Sequence, residues 1–125
     1  MSAKIAVATE DGQRVSSHFG MAPLYKVFSV EDDRVLGEEQ REKPHHSHHP
    51  GEHHDSHHHG QLHEDMFAPI SDCQVLLVGG MGQPAFEKAR QAGLEVVLTG
   101  GSIESALQAY LSGDLSSDMR RIHNH

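Results

Sequence analysis

Val75-Leu76-Leu77-Val78-Gly79-Gly80-Met81-Gly82-Gln83-Pro84, residues 75–84, decides the fold. Four consecutive apolar residues form a strand buried on both faces. The glycines end it as a loop. Pro84 then opens a helix, at a position where its missing N–H would have had no partner anyway. The helix runs to Ala92 and stops at Gly93, a residue type that accepts the left-handed backbone of a helix end. Glu95–Leu98 is the next apolar strand, Thr99-Gly100-Gly101 a second glycine loop, and Ser102 the N-cap of a last helix. Ile103, Ala106, Leu107, Tyr110 and Leu111 make one apolar stripe along that helix, and Gly113 ends it. Strand, helix, strand, helix demands parallel strands joined by a right-handed crossover. The polar tail after Leu115 is expected to fray.

Toward the N-terminus, Ile5–Thr9 is a second short apolar run and reads as another doubly buried strand. Glu10–Gln13 turns the chain, and Ser16–Gly20 follows as a loop. Tyr25–Glu31 and Arg34–Gln40 make a hairpin about Asp32-Asp33. Leu62, Met66, Phe67 and Ile70 share one side of a short helix starting near Leu62, with its end blurred by Pro69. The expectation is an α/β fold with a mixed five-stranded sheet and about three helices on its faces. A chain of 125 residues suits one domain spanning 1–125, interrupted by a flexible polar insert at residues 41–61.

The hydrophobic share of 36% is low, but the deficit is concentrated in that insert. There is no Trp, so Val, Leu, Ile and Ala must build most of the core. A net charge of −8 with no dense Lys/Arg stripe excludes general attraction to nucleic-acid backbones. Protonation of the thirteen histidines below about pH 6 would shift that balance strongly. The one cysteine, Cys73, precludes an intrachain disulfide and reads as buried and inert. It fits a reducing cytosol. The N-terminus has no basic segment followed by a long apolar run, and no stretch approaches the ~18 apolar residues of a membrane span, so a cytoplasmic chain is expected.

Ten histidines crowd the insert: His45, His46, His48, His49, His53, His54, His57, His58, His59 and His63, interleaved with Glu52 and Asp55. Neutral imidazole ligates Zn, Ni, Cu and Co, and a pliable chain can bring several rings to one ion. No fixed four-ligand spacing stands out, so a solvated tract with incidental metal affinity is the competing reading. His123 and His125 at the end of the chain decide nothing.

Two further places could hold a ligand. Ser17-His18-Phe19-Gly20 follows the first buried strand, and loops beyond the carboxyl ends of strands are where open α/β sheets bind ligands. Gly79-Gly80-Met81-Gly82 and Thr99-Gly100-Gly101 each lie between a strand and a helix. Glycines there free backbone N–H groups for an anion near a helix N-terminus. The plain alternatives are a polar loop histidine and tight turn chemistry. Met81 offers a soft thioether or simply packs. No nucleophile–base pair and no cluster of strand-end carboxylates appears, so the chain is not expected to be an enzyme.

Together these pieces resemble the dinitrogenase iron–molybdenum cofactor biosynthesis proteins, the group of NifX, NafY and the NifB C-terminal domain. The matching segments are Ile5-Ala6-Val7-Ala8, Ser17-His18-Phe19-Gly20 with Ala22-Pro23, and Val78-Gly79-Gly80-Met81-Gly82 with Ala85. Gly93, Gly100, Glu104-Ser105-Ala106-Leu107, Tyr110-Leu111 and Gly113 follow in order. The resemblance implies a ribonuclease H-like fold without the nuclease's acidic centre; the first strand here carries no carboxylate. It also implies binding of a metal–sulfur cluster or precursor: the iron–molybdenum cofactor, an iron–sulfur cluster or a molybdenum–copper cluster. The partners implied are proteins that assemble or accept such clusters. The family's setting is nitrogen fixation, although stand-alone members also occur in organisms that do not fix nitrogen. His18 matches the family's loop histidine, with Phe19, Gly20, Gly79, Gly80, Met81, Gly82, Gly100 and Gly101 around the same cavity. The His-rich insert departs from the pattern. It leaves open a divalent-metal chaperone or buffer for nickel, zinc, cobalt or copper.

Overall fold

A computed structural model of the protein describes residues 2–43 and 66–123. Five strands, β1 (Ser2–Thr9), β2 (Leu24–Glu31), β3 (Arg34–Glu42), β4 (Val75–Val78) and β6 (Glu95–Leu98), form one mixed sheet in the order β3-β2-β1-β4-β6. A two-residue strand β5 (Met81–Gly82) pairs separately with β7 (Ile122–His123). Helix α1 (Gln83–Gln91) connects β5 to β6, and α2 (Ile103–Leu111) follows β6. β1, β4 and β6 are mutually parallel, while β2 runs against β1 and β3 against β2.

Alternation along β1 divides the core into two layers. Ala6 and Ala8 face Leu76, Val78, Phe86, Ala89 and Leu98 on the α1 side. Ile5 and Val7 face Leu77, Val97, Ile103, Ala106 and Leu107 on the α2 side. Small alanines in the central strand let side chains of neighbouring elements close over it. β4 is buried at all four residues, as expected of a strand with helices on both faces. β3, by contrast, is exposed along nearly its whole length and carries Arg34, Glu38, Glu39, Arg41 and Glu42. Charge on an edge strand discourages pairing with other chains.

The ends of the elements follow local chemistry. Asp32 and Asp33 both adopt positive φ (51° and 66°), the hairpin geometry that Asp tolerates better than most residues. Gly93 closes α1 at φ +92°, and the Ser102 hydroxyl accepts from the Ser105 amide at the start of α2. Asp72, just before β4, accepts two hydrogen bonds from Arg41, which reaches it from the C-terminal end of β3 and also donates to the Pro69 carbonyl. These and Lys4 hold the Asp72 carboxyl well below the usual carboxylate range.

Three expectations are corrected. There are two α-helices among the described residues, not about three: Met66–Phe67 is a turn and Ala68–Ile70 a 3₁₀ turn. Pro69 disfavours the helical backbone at Ala68, so the segment cannot lengthen there; residues 62–65 lie outside the described residues. β3 continues through Glu42, so Arg41 and Glu42 belong to the sheet rather than to the insert. The tail after Leu115 is docked. The Asp118 amide donates to Leu98 O (2.9 Å), the Leu98 amide to the Ser117 hydroxyl (2.9 Å), and β7 pairs with β5. Among the described residues, no helix is long and apolar enough to cross a membrane.

Candidate functional site

Because β1, β4 and β6 are parallel, their carboxyl ends share one edge of the sheet. The loops leaving β1, β4 and β6 are stitched together there by backbone hydrogen bonds. The loop after β1 first turns on Thr9, whose hydroxyl donates to Arg14 O (2.7 Å) and accepts from the Gly12 amide (2.9 Å). The Asp11 carboxylate accepts from the amides of Gln13 and Arg14, bonds that lower its pKa. The chain then crosses the end of β6: the Ile103 amide donates to Gln13 O and the Val15 amide to Gly101 O, each at 2.9 Å. Next it crosses the end of β4, where the Gly79 amide donates to Ser16 O and the Phe19 amide to Gly80 O, each at 2.7 Å.

That crossing explains Gly79. A Cβ there would lie 2.5 Å from Ser16 O and 2.9 Å from Ser17 Cα, both backbone atoms that cannot step aside. The bare Cα is required by a neighbouring stretch of this chain. The Gly79 N–H is likewise taken by Ser16, so it is not one of the free amides that the sequence offers for an anion. Gly79, Gly80 and Met81 are buried, and Met81, 1% exposed, packs in the α1-side core.

His18 is exposed and caps the 3₁₀ turn Phe19–Met21. Phe19 anchors the turn: its ring is 4% exposed, stacks on Phe67 (centroids 5.3 Å apart) and meets Tyr25 at 6.3 Å. Gly20 is exposed beside it. So the structure sets Ser16 and Ser17 against Gly79, Phe19, between His18 and Gly20, against Gly80, and Val15 of the same loop against Gly101. Gly100 sits nearby under the Arg121 guanidinium, whose Nη2 would be 3.3 Å from an added Cβ.

Sequence reasoning missed two cations at this edge. Lys43 is 2% exposed. Its ammonium donates to the Phe19 carbonyl and lies 3.9 Å from the centre of the Phe19 ring, a cation–π contact. Burial pushes its pKa down to about 8. Arg121 donates to Gly79 O at 3.2 Å. Lys43 gave no signal because a lysine after a charged strand reads as solvated. Arg121 gave none because its anchor is a two-residue strand.

The ten histidines from His45 to His63 lie outside the described residues. Among the described residues, no three His, Cys, Asp or Glu side chains come together to hold a metal ion. Cys73 precedes β4, at the opposite edge from Gly79, as the sequence indicates. Burial and the neighbouring Asp72 charge push its thiol up to about 11.

Residues 1–113 match the sequence profile of the family described as dinitrogenase iron-molybdenum cofactor. The FeMo cofactor biosynthesis protein NifB of Chlorobaculum tepidum is 26% identical over 113 residues, covering 87% of this chain and 24% of that protein. The chain thus spans about a quarter of that relative's length. The crystal structure of PH0822 is similar over 92% of this chain and 94% of its own, with 25% identity and a TM-score of 0.66. The apo form of the orange protein from Desulfovibrio gigas superposes over 93% and 92%, with 21% identity and a TM-score of 0.64, which shows a shared fold.

This packing makes three predictions about stability. Gly79→Ala is expected to cost about 1–3 kcal/mol in denaturant unfolding. Gly20→Ala, where an added Cβ meets nothing within 4 Å, should stay within about 0.5 kcal/mol. For Lys43, the folded pKa (about 8) lies below the unfolded value of 10.5, so between them the unfolded chain holds more protons and stability rises with pH. The unfolding free energy of the wild type, measured against Lys43→Met, should therefore climb from about pH 8 to about 10.5; a flat difference would show that the ammonium is not desolvated.

Proposed function

The chain belongs to the dinitrogenase iron–molybdenum cofactor family, and on that premise we propose that it is a non-catalytic carrier of an anionic metal–sulfur cluster or its precursor. The observation that carries this reading is the stitching of the His18 loop to both glycine loops at the carboxyl edge of the parallel strands. It yields a rigid backbone shelf with one exposed imidazole. Rigid placement on element ends favours holding a guest over transforming it.

The donor set narrows the guest. Iron–sulfur clusters held entirely by protein need several thiolates, commonly four. This chain has one cysteine, buried at the far edge with its thiol held protonated at neutral pH. A cluster bound by one copy must therefore bring its own sulfide ligands. His18 supplies one protein nitrogen, and the cations at this edge offset the negative charge. The site fits a preassembled or precursor cluster passed between proteins that build and receive it, and does not fit assembly on protein thiolates. The same reading takes the mixed sheet as ribonuclease H-like in strand order, with a first strand, SAKIAVAT, that lacks the carboxylates a nuclease would need.

A second reading rests on the ten histidines between residues 45 and 63: a divalent-metal chaperone or buffer for nickel, zinc, cobalt or copper. The two readings separate experimentally. Full-length protein reconstituted with iron, sulfide and molybdate is expected to retain a coloured species, and His18→Ala to lose most of it. Deleting residues 44–60 should leave that species in place. Equal retention by wild type and His18→Ala would remove His18 from the site, and loss of all metal on the deletion would favour the buffer.

A further inference from the structure

The family match ends at residue 113, yet the chain continues across the candidate site. Ser117 and Asp118 fasten the segment to the end of β6 through Leu98, and Ile122–His123 fasten it to β5 beside Met81–Gly82. Between those anchors a 3₁₀ turn, Met119–Arg121, carries Arg121 over the ends of β4 and β6. The guanidinium donates to Gly79 O at 3.2 Å and lies against Gly100, where a Cβ would be 3.3 Å from Nη2. Gly79 is thus bracketed. Ser16, two residues before His18, packs on its Cα side, and Arg121 holds its carbonyl.

We propose that the Ser117–His123 segment completes the guest site, with Arg121 as the cationic contact for an anionic metal–sulfur guest held beside His18. This rests on the carrier reading and adds the residue that meets the guest's charge. Guanidinium has five N–H donors in a planar fork, and among the described residues only one hydrogen bond of Arg121 engages them. Its side chain is 42% exposed, so the remaining donors are accessible while the head is fixed by the Gly79 bond. Asp118 lies 3.7 Å from Arg121 and accepts its closer bond, 2.9 Å, from Arg120, so it offsets the Arg121 charge only in part. In a chain with a net charge of −8, a fixed cation at this edge is what an anion-binding site requires locally.

The test uses the full chain, reconstituted with iron, sulfide and molybdate. Metal per protein and visible absorption are read at several salt concentrations, with thermal unfolding as the check on folding. Arg121→Gln should retain at least about tenfold less cluster, Arg121→Lys an intermediate amount, and the salt sensitivity seen in wild type should weaken in Arg121→Gln. Equal retention and equal salt sensitivity in wild type and Arg121→Gln would overturn the role of Arg121 while leaving the carrier reading intact. Absence of any retained cluster in wild type would instead overturn the carrier reading and the inference with it. Should Arg121→Gln fail to fold, Asp118→Asn answers instead. Removing the carboxylate should raise retention, and an unchanged or lower value would count against Arg121.

Discussion

Ser16 and Ser17 press their backbone onto Gly79, a contact that leaves no room for even one methyl group. The rest of the site hangs on this approach. It lets the loop after β1 reach across β4 and exchange hydrogen bonds with Gly79 and Gly80, which fixes Phe19 and so the turn that His18 caps. Phe19 ties three parts of the chain together. Its amide holds the loop after β4, its carbonyl receives the Lys43 ammonium from the end of β3, and its ring lies on Phe67 and near Tyr25. The described residues on either side of positions 44–65 therefore both meet at Phe19, next to the candidate site.

Charge is distributed unevenly about this frame. Carboxylates dominate the exposed edge strand, and Asp72 ties Lys4 of β1 to Arg41 at the C-terminal end of β3. At the carboxyl ends the charges are mixed: Lys43 lies buried under the loop and Arg121 above the glycines, while Glu10, Asp11 and Asp118 place carboxylates on the same edge. A buried ammonium facing a carbonyl and an aromatic ring is costly to desolvate and rigid once placed. The single cysteine lies away from this edge, so a guest held there by one copy would find no protein thiolate.

Elements decided by local pattern were legible in the sequence. β4 and β6 occupy the residues their apolar runs mark, Val75–Val78 and Glu95–Leu98, and α2 begins at the Ser102 cap and follows its stripe. Elements decided by tertiary pairing were not. Four apolar residues around Phe67 fit a helical period, but Pro69 and the stacking of Phe67 on Phe19 leave only a turn. The tail carries no apolar run because its two anchors are backbone and hydroxyl bonds to Leu98 and a two-residue strand. The glycines were legible as a feature but not in cause: sequence alone offers Gly79 to a ligand, whereas its Cα is claimed by Ser16. The proximity of His18 to the glycine loops follows from parallel strands, and the cations that complete the edge come from segments whose burial no local pattern encodes.

The central claim is that one edge of the sheet, formed by the His18 loop, both glycine loops and the docked tail, receives the guest. Amide-resolved NMR of ¹⁵N-labelled protein before and after loading with iron, sulfide and molybdate tests it most directly. Signals of Ser17–Gly20, Gly79–Gly82, Gly100, Gly101 and Arg121 should shift or broaden together, while those beside Cys73 stay in place. Changes confined to the histidine tract, or centred on the Cys73 edge, would contradict the account.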